Sequence, residues 1–168
     1  MLASFRDRFG LAWVLTLSGG ALIGATGQSS AQEKVFVWGL SNKTVKSFVD
    51  VMRENIHVLK LSDGSHVPAE TEEELKHPII PAEEAKEIVD VGFASAYAEW
   101  CGVDWQHLSF LPLMAYQRSR HKWSDKQLAF IGGLHGYTLG VISEINKDKG
   151  PCPPEEKFKV EGYLAQRW

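Results

Sequence analysis

Six histidines and two cysteines are the residues here whose chemistry could reach beyond packing: His57, His66, His77, His107, His121, His135, Cys101 and Cys152. A neutral imidazole binds metals and moves protons near neutral pH. A thiolate is a nucleophile or a metal ligand, and a thiol pair is a cross-link. Spacing decides which of these is available. No H-E-x-x-H pattern occurs, so the paired-histidine helix of zinc hydrolases is absent. "CGVDWQH" gathers Cys101, Asp104 and His107, half of a metal site with no second half in the sequence. No G-x-S-x-G elbow is present for a serine nucleophile. The pattern assigns no catalytic residue, metal or cofactor. A small metal- or ligand-dependent enzyme using His107, His121 or His135 is the alternative reading.

The meaning of the cysteines depends on compartment, and the first 31 residues address that. "MLASFRDRFG" carries Arg6 and Arg8; "LAWVLTLSGGALIGATG" is uncharged; "QSSAQ" places Ser29 and Ala31 at small-x-small spacing. This is the three-part pattern of a cleavable secretory leader, with cleavage expected after Ala31. The rival reading is a retained anchor, since the uncharged run from Phe9 to Gly27 is about long enough to cross a bilayer. In an exported chain two cysteines default to a disulfide. A Cys101–Cys152 bridge would be worth roughly 4 kcal/mol on the chain-entropy model.

The rest of the chain has the composition of one globular domain, with 44% hydrophobic and 23% charged residues. A formal charge of −3, becoming −4 when Arg6, Asp7 and Arg8 leave with the leader, argues against a nucleic-acid partner. After the leader no second apolar run of membrane-spanning length is expected.

The elements that would position these side chains read as helices. "VFVWGL" (35–40) is a short β-rich run or an ordered arm. In 41–56, Val45, Phe48, Val49, Met52 and Ile56 recur on one helical face, with Ser41 or Asn42 as cap. The stretch 56–70 reads as a strand, a turn at Asp63-Gly64 and a second extended piece. "TEEELKHPIIP" reads as an exposed connection. Pro81 suits the first position of a helix to Trp100. A helix over 104–123 should bend at Pro112. "SDKQ" is a capping box that opens a helix to about Lys147, and Pro154 starts a last short helix.

The helix after Ser124 carries Gly132, Gly133, Gly136 and Gly140, each costing about 1 kcal/mol against alanine. Gly132, Gly136 and Gly140 are four apart, so they share a face. The spacing predicts that this face is a seam meeting Gly92 and Ala96 of the preceding long helix, backbone against backbone. A binding groove floored by glycines is the functional alternative. "YQRSRHKW" supplies Tyr116, Arg118, Arg120, His121, Lys122 and Trp123: cations at a helix end complementing its dipole, or a patch for an acidic partner with aromatic anchors. Trp100 and Trp105 flank Cys101 and should pack around the disulfide.

Residues 129–164 resemble small exported helical immunity proteins of the Tai type. The similar features are "HGYTLGV" (Gly136, Tyr137, Gly140, Val141), Cys152-Pro153 and a closing helix ending "EGYL". The resemblance implies a periplasmic protein that neutralises a peptidoglycan amidase toxin. That family usually has a cysteine just before its Gly-Tyr, where this chain has Leu134 and His135. The two-cysteine spacing is also similar to that of periplasmic acid-stress chaperones of the HdeA type, which are disulfide-closed helical proteins.

The sequence therefore predicts a mainly α fold: a bundle of four to five helices closed by one disulfide, with a small N-terminal β-hairpin as an optional addition. Residues 1–31 are the leader, 32–80 an arm, helix and hairpin, and 81–168 the helical body. The function expected is that of an exported, periplasmic, non-enzymatic protein acting through contacts with another exported or envelope protein, as an immunity protein or adaptor does. A periplasmic stress chaperone is a further alternative.

Overall fold

A computed structural model describes residues 39–167. The leader over 1–31 and most of the run 35–40 lie outside the described residues. The described chain is mainly helical: α1 (Asn42–Glu54), α2 (Glu72–Leu75), α3 (Ala82–Trp100), α4 (Leu111–Ser119), α5 (Asp125–Asn146) and α6 (Pro154–Ala165). A 3-10 turn, Ile56–Val58, follows α1, and a π-helical turn, Gln106–Phe110, precedes α4.

The helix starts follow local chemistry. The Ser41 hydroxyl accepts from the Thr44 N–H at 3.2 Å, capping α1. Ser124 and Gln127 form the reciprocal capping box of α5, satisfying donors that have no intrahelical partner. Pro81 is the N-cap of α3, with Glu83 and Glu84 in its first turn. The segment expected to be a plain connection holds α2, a single turn with its own Thr71–Glu74 capping box.

Several expectations are corrected. The hairpin over 56–70 is reduced to one antiparallel bridge, Lys60 with His66. Asp63 accepts from the Ser65 N–H and hydroxyl and Gly64 takes φ +85°, so the turn forms; Pro68 then ends pairing for want of a donor. The helix expected over 104–123 is broken into the π-helical turn Gln106–Phe110 and α4, with Pro112 in the first turn of α4. The π-helical turn widens the backbone just ahead of Pro112, which has no N–H to donate and whose ring crowds the preceding turn. That helix also stops at Ser119, because His121 adopts φ +51°, a left-handed conformation that ends helices.

The glycine row of α5 is not where the spacing put it. α3 and α5 share the largest helix–helix interface, and its tightest point is Gly92. A Cβ on Gly92 would stand 2.8 Å from the His135 carbonyl oxygen and 2.8 Å from the Thr138 Cβ. Ala96, one turn on, is fully buried. The α5 side of this seam is His135 and Thr138, not the glycines. Gly136 and Gly140 are exposed, and a methyl group added at either would have no neighbour within 4 Å. The buried face of α5 is Phe130, Ile131, Leu134, His135, Thr138 and Ile142. The glycine row drifts about 100° to 180° round the helix from its centre, given 3.6 residues per turn.

Two hydrophobic clusters result. One joins Ile88, Val89 and Val91 of α3 to Phe130, Ile131 and Leu134 of α5, with Leu113 and Met114 of α4 and Val45 and Met52 of α1. The other joins Ala94 and Ala98 of α3 to Cys101, Val103 and to Val160 and Leu164 of α6. Cys101 and Cys152 form a disulfide with their Cα atoms 4.9 Å apart, tying the end of α3 to the start of α6. Trp100 and Trp105 pack against that second cluster, and the Trp100 indole donates to the Gly150 carbonyl at 2.9 Å. By length and composition α5 could cross a membrane, against the expectation that no second run of that kind follows the leader. In this fold its apolar face packs on α3.

Candidate functional site

A groove of about 610 Å³ lies between α1, the segment 75–80 and the first turn of α3. Helical periodicity builds it. Val45 and Met52 turn into the core, while Val49, one turn from Val45, is half-buried and faces the groove. Ile80, Ala82 and Ala85 form the opposite side, and Leu75 stands at the rim with 55% of its surface exposed. The volume lies within the roughly 300–1,000 Å³ of ordinary ligand sites.

One ion pair holds the groove's outer wall. Arg53 Nε and Nη2 donate to the two Glu70 carboxylate oxygens at 2.7 Å each, a bidentate fork. The same Nη2 donates to the Glu74 and His77 carbonyls at 3.1 and 3.0 Å. Arg53 thus pins to α1 the segment that carries Leu75 and Pro78. The Glu70 hydrogen bond raises the Arg53 pKa against the opposing effect of burial. The rim carries both signs of charge, including Lys46 paired with Asp50 at 2.7 Å. His77, the groove's one imidazole among the described residues, is exposed, 3.8 Å from Glu73. The lining offers apolar contact and charge matching, with no nucleophile–base pair in it. Sequence reading missed the groove, because Arg53 and Glu70 are 17 residues apart and neither belongs to a motif.

Of the residues expected to form a binding patch, the Arg120 guanidinium lies over the Tyr116 and Trp123 rings, 5.3 and 5.7 Å from their centres. Arg120 and Lys122 both turn onto Glu84 of α3, at 2.6 and 2.8 Å. The Arg120 hydrogen bond is the main cause that holds the Glu84 carboxyl below its usual pKa. Lys122 also lies 4.2 Å from the Trp123 ring centre, and the Trp123 indole donates to Gln117 Oε1 at 2.7 Å. These side chains join α4 to α3. Tyr116, Arg118 and His121 remain exposed.

His66 Nδ1 lies 3.0 Å from the His57 carbonyl oxygen, while His135 and His107 each have a different partner. His135 is buried, its Nε2 2.9 Å from the Ser95 hydroxyl, which is itself 2.7 Å from the Ser109 hydroxyl. Burial alone lowers the His135 pKa to about 4, and the rings of Phe110 and Trp105 lie beside it. His107 is exposed and 2.8 Å from Asp104. The half-site of Cys101, Asp104 and His107 is dissolved, because Cys101 is bonded to Cys152 and has no thiolate to offer. Among the described residues no group of three His, Cys, Asp or Glu could hold a metal ion.

No protein-family model, curated protein or solved structure matches this chain, so those comparisons do not bear on the immunity-protein and chaperone resemblances.

Proposed function

We propose that this is an exported, non-enzymatic protein that acts through protein contacts, and that the groove between α1 and α3 is its contact face. The supporting observation is the groove itself: an apolar floor of Val49, Ile80 and Ala85, a half-exposed Leu75, and a wall fixed by a partly buried ion pair. A preformed apolar cleft with charges of both signs round it suits one or two apolar side chains of a partner, with the rim setting orientation. The disulfide supports an oxidising compartment, which accords with the leader expected over residues 1–31. The partner class is another exported or envelope protein.

The test is cross-linking in the intact cell envelope, comparing the wild-type chain with Val49→Asp and Leu75→Asp. Both positions are partly exposed, so the fold should survive. The reading requires one discrete captured protein that disappears in both variants while their thermal midpoints stay near wild type. Capture unchanged by either substitution refutes it.

A further inference from the structure

A second groove, of about 470 Å³, lies between the loop 59–62, α4 and the start of α5. Leu59, Leu61, Met114 and Leu128 wall it, and Gly132 and Gly133 of α5 form its floor. The two glycines have different causes. A Cβ on Gly133 would stand 2.6 Å from the Leu59 Cδ2, so Leu59 is seated directly over the helix backbone. A Cβ on Gly132 would meet nothing nearer than Met114 at 3.8 Å. Packing accepts a methyl there, and its absence deepens the groove at the cost of helix propensity.

Charge at this groove is unbalanced. Lys60, on the bridge to His66, and Arg118, in the last turn of α4, both line it. Among the described residues neither forms an ion pair. Their neighbours do: Arg120 and Lys122 on Glu84, and Lys126 on Glu74. The groove's one carboxylate, Asp125, is exposed and pairs with neither cation. A groove with an apolar side of Leu59, Leu61, Met114 and Leu128 and a polar side that carries two cations unpaired among the described residues and one carboxylate complements a small anion with an apolar tail.

We propose that this groove binds a medium-chain carboxylate, its tail along Gly132 and Met114 and its head between Lys60 and Arg118. The site is separate from the α1–α3 groove and does not depend on the function proposed for it. Planar guanidinium suits a carboxylate, since it can give two parallel hydrogen bonds.

The probe is octanoate titrated into the full mature chain, followed by calorimetry and by the NMR signal of the Met114 methyl. Octan-1-ol and octylamine serve as charge controls. The expected result is saturable octanoate binding that moves the Met114 methyl, with octan-1-ol weaker by about tenfold or more and octylamine weaker still, as charge matching demands. Arg118→Gln with Lys60→Gln should remove the preference for the acid over the alcohol. Gly132→Leu, checked for an unchanged fold by its thermal midpoint, should abolish binding of both. A Met114 methyl that does not respond to millimolar octanoate, equal binding of acid and alcohol by wild type, or octanoate binding that survives Gly132→Leu would each overturn the assignment.

Discussion

The backbone of α5 passes so close to α3 that a methyl group on Gly92 would stand 2.8 Å from the carbonyl oxygen of His135. A carbonyl in a helix cannot swing aside as a side-chain tip can, so α3 and α5 must separate to admit it. Gly92→Ala is expected to lower stability by about 1–3 kcal/mol, the usual cost of overpacking. Gly136→Ala should do the opposite and raise it by about 0.5–1 kcal/mol, from helix propensity alone, because that position faces open space. Urea unfolding of the two variants beside wild type checks both signs.

The buried histidine sets an acid limit. His135 is neutral when folded, with a pKa of about 4, and titrates near 6.5 when unfolded. Between those values the unfolded chain binds more protons, so stability rises with pH across the window. It is full above about pH 6.5 and falls as pH drops toward 4, by about 3 kcal/mol in all. Glu84, whose carboxyl is held below its usual pKa chiefly by Arg120, loses its contribution only at lower pH. His135→Gln, which keeps a donor for Ser95, should flatten the dependence between about pH 6.5 and 4. Unfolding free energies at a series of pH values give the comparison, and an unflattened curve would assign the slope elsewhere.

The Arg53–Glu70 pair is partly buried, with the Arg53 side chain 16% and the Glu70 side chain 3% exposed. Arg53→Ala should destabilise by about 3–5 kcal/mol, because it strands a buried carboxylate. The double replacement Arg53→Met with Glu70→Leu should cost far less, since no charge is left unpaired. Chemical denaturation of both variants tests this. A single variant as stable as the double one would mean that water reaches Glu70.

Export and the disulfide are checked together on one sample. The protein recovered from the envelope should begin at Gln32 by intact mass and contain no free thiol. Replacing Cys101 and Cys152 by serine should lower stability by about 2–5 kcal/mol. Retention of residues 1–31 would favour the anchored reading of the leader.

Four of the six helices among the described residues were legible because they carry start signals: Ser41, Pro81, the Ser124–Gln127 box and Pro154 all lie where helices begin. The disulfide was legible because two cysteines in a chain expected to be exported have few other uses. The seam was half legible. Gly92 and Ala96 were placed on it rightly. Reading the glycine row of α5 as its partner failed, because a shared face is not the buried face; that is set by the apolar row through Ile131, Leu134 and Thr138. The end of α4 was missed because His121 supplies the left-handed turn with no glycine to signal it. The α1–α3 groove could not be read at all. Its wall depends on Arg53 meeting Glu70 and the carbonyls of Glu74 and His77, contacts that only the folded chain creates.

Position-resolved photo-cross-linking in the intact envelope tests the central claim most directly. A photoreactive residue is placed in turn at Lys46, Leu75, Ile145 and Phe158, all exposed, and only the first two line the α1–α3 groove. The expected result is a single protein adduct at Lys46 and Leu75 and none at Ile145 or Phe158. Adducts at Ile145 or Phe158 with none at the groove would contradict the account.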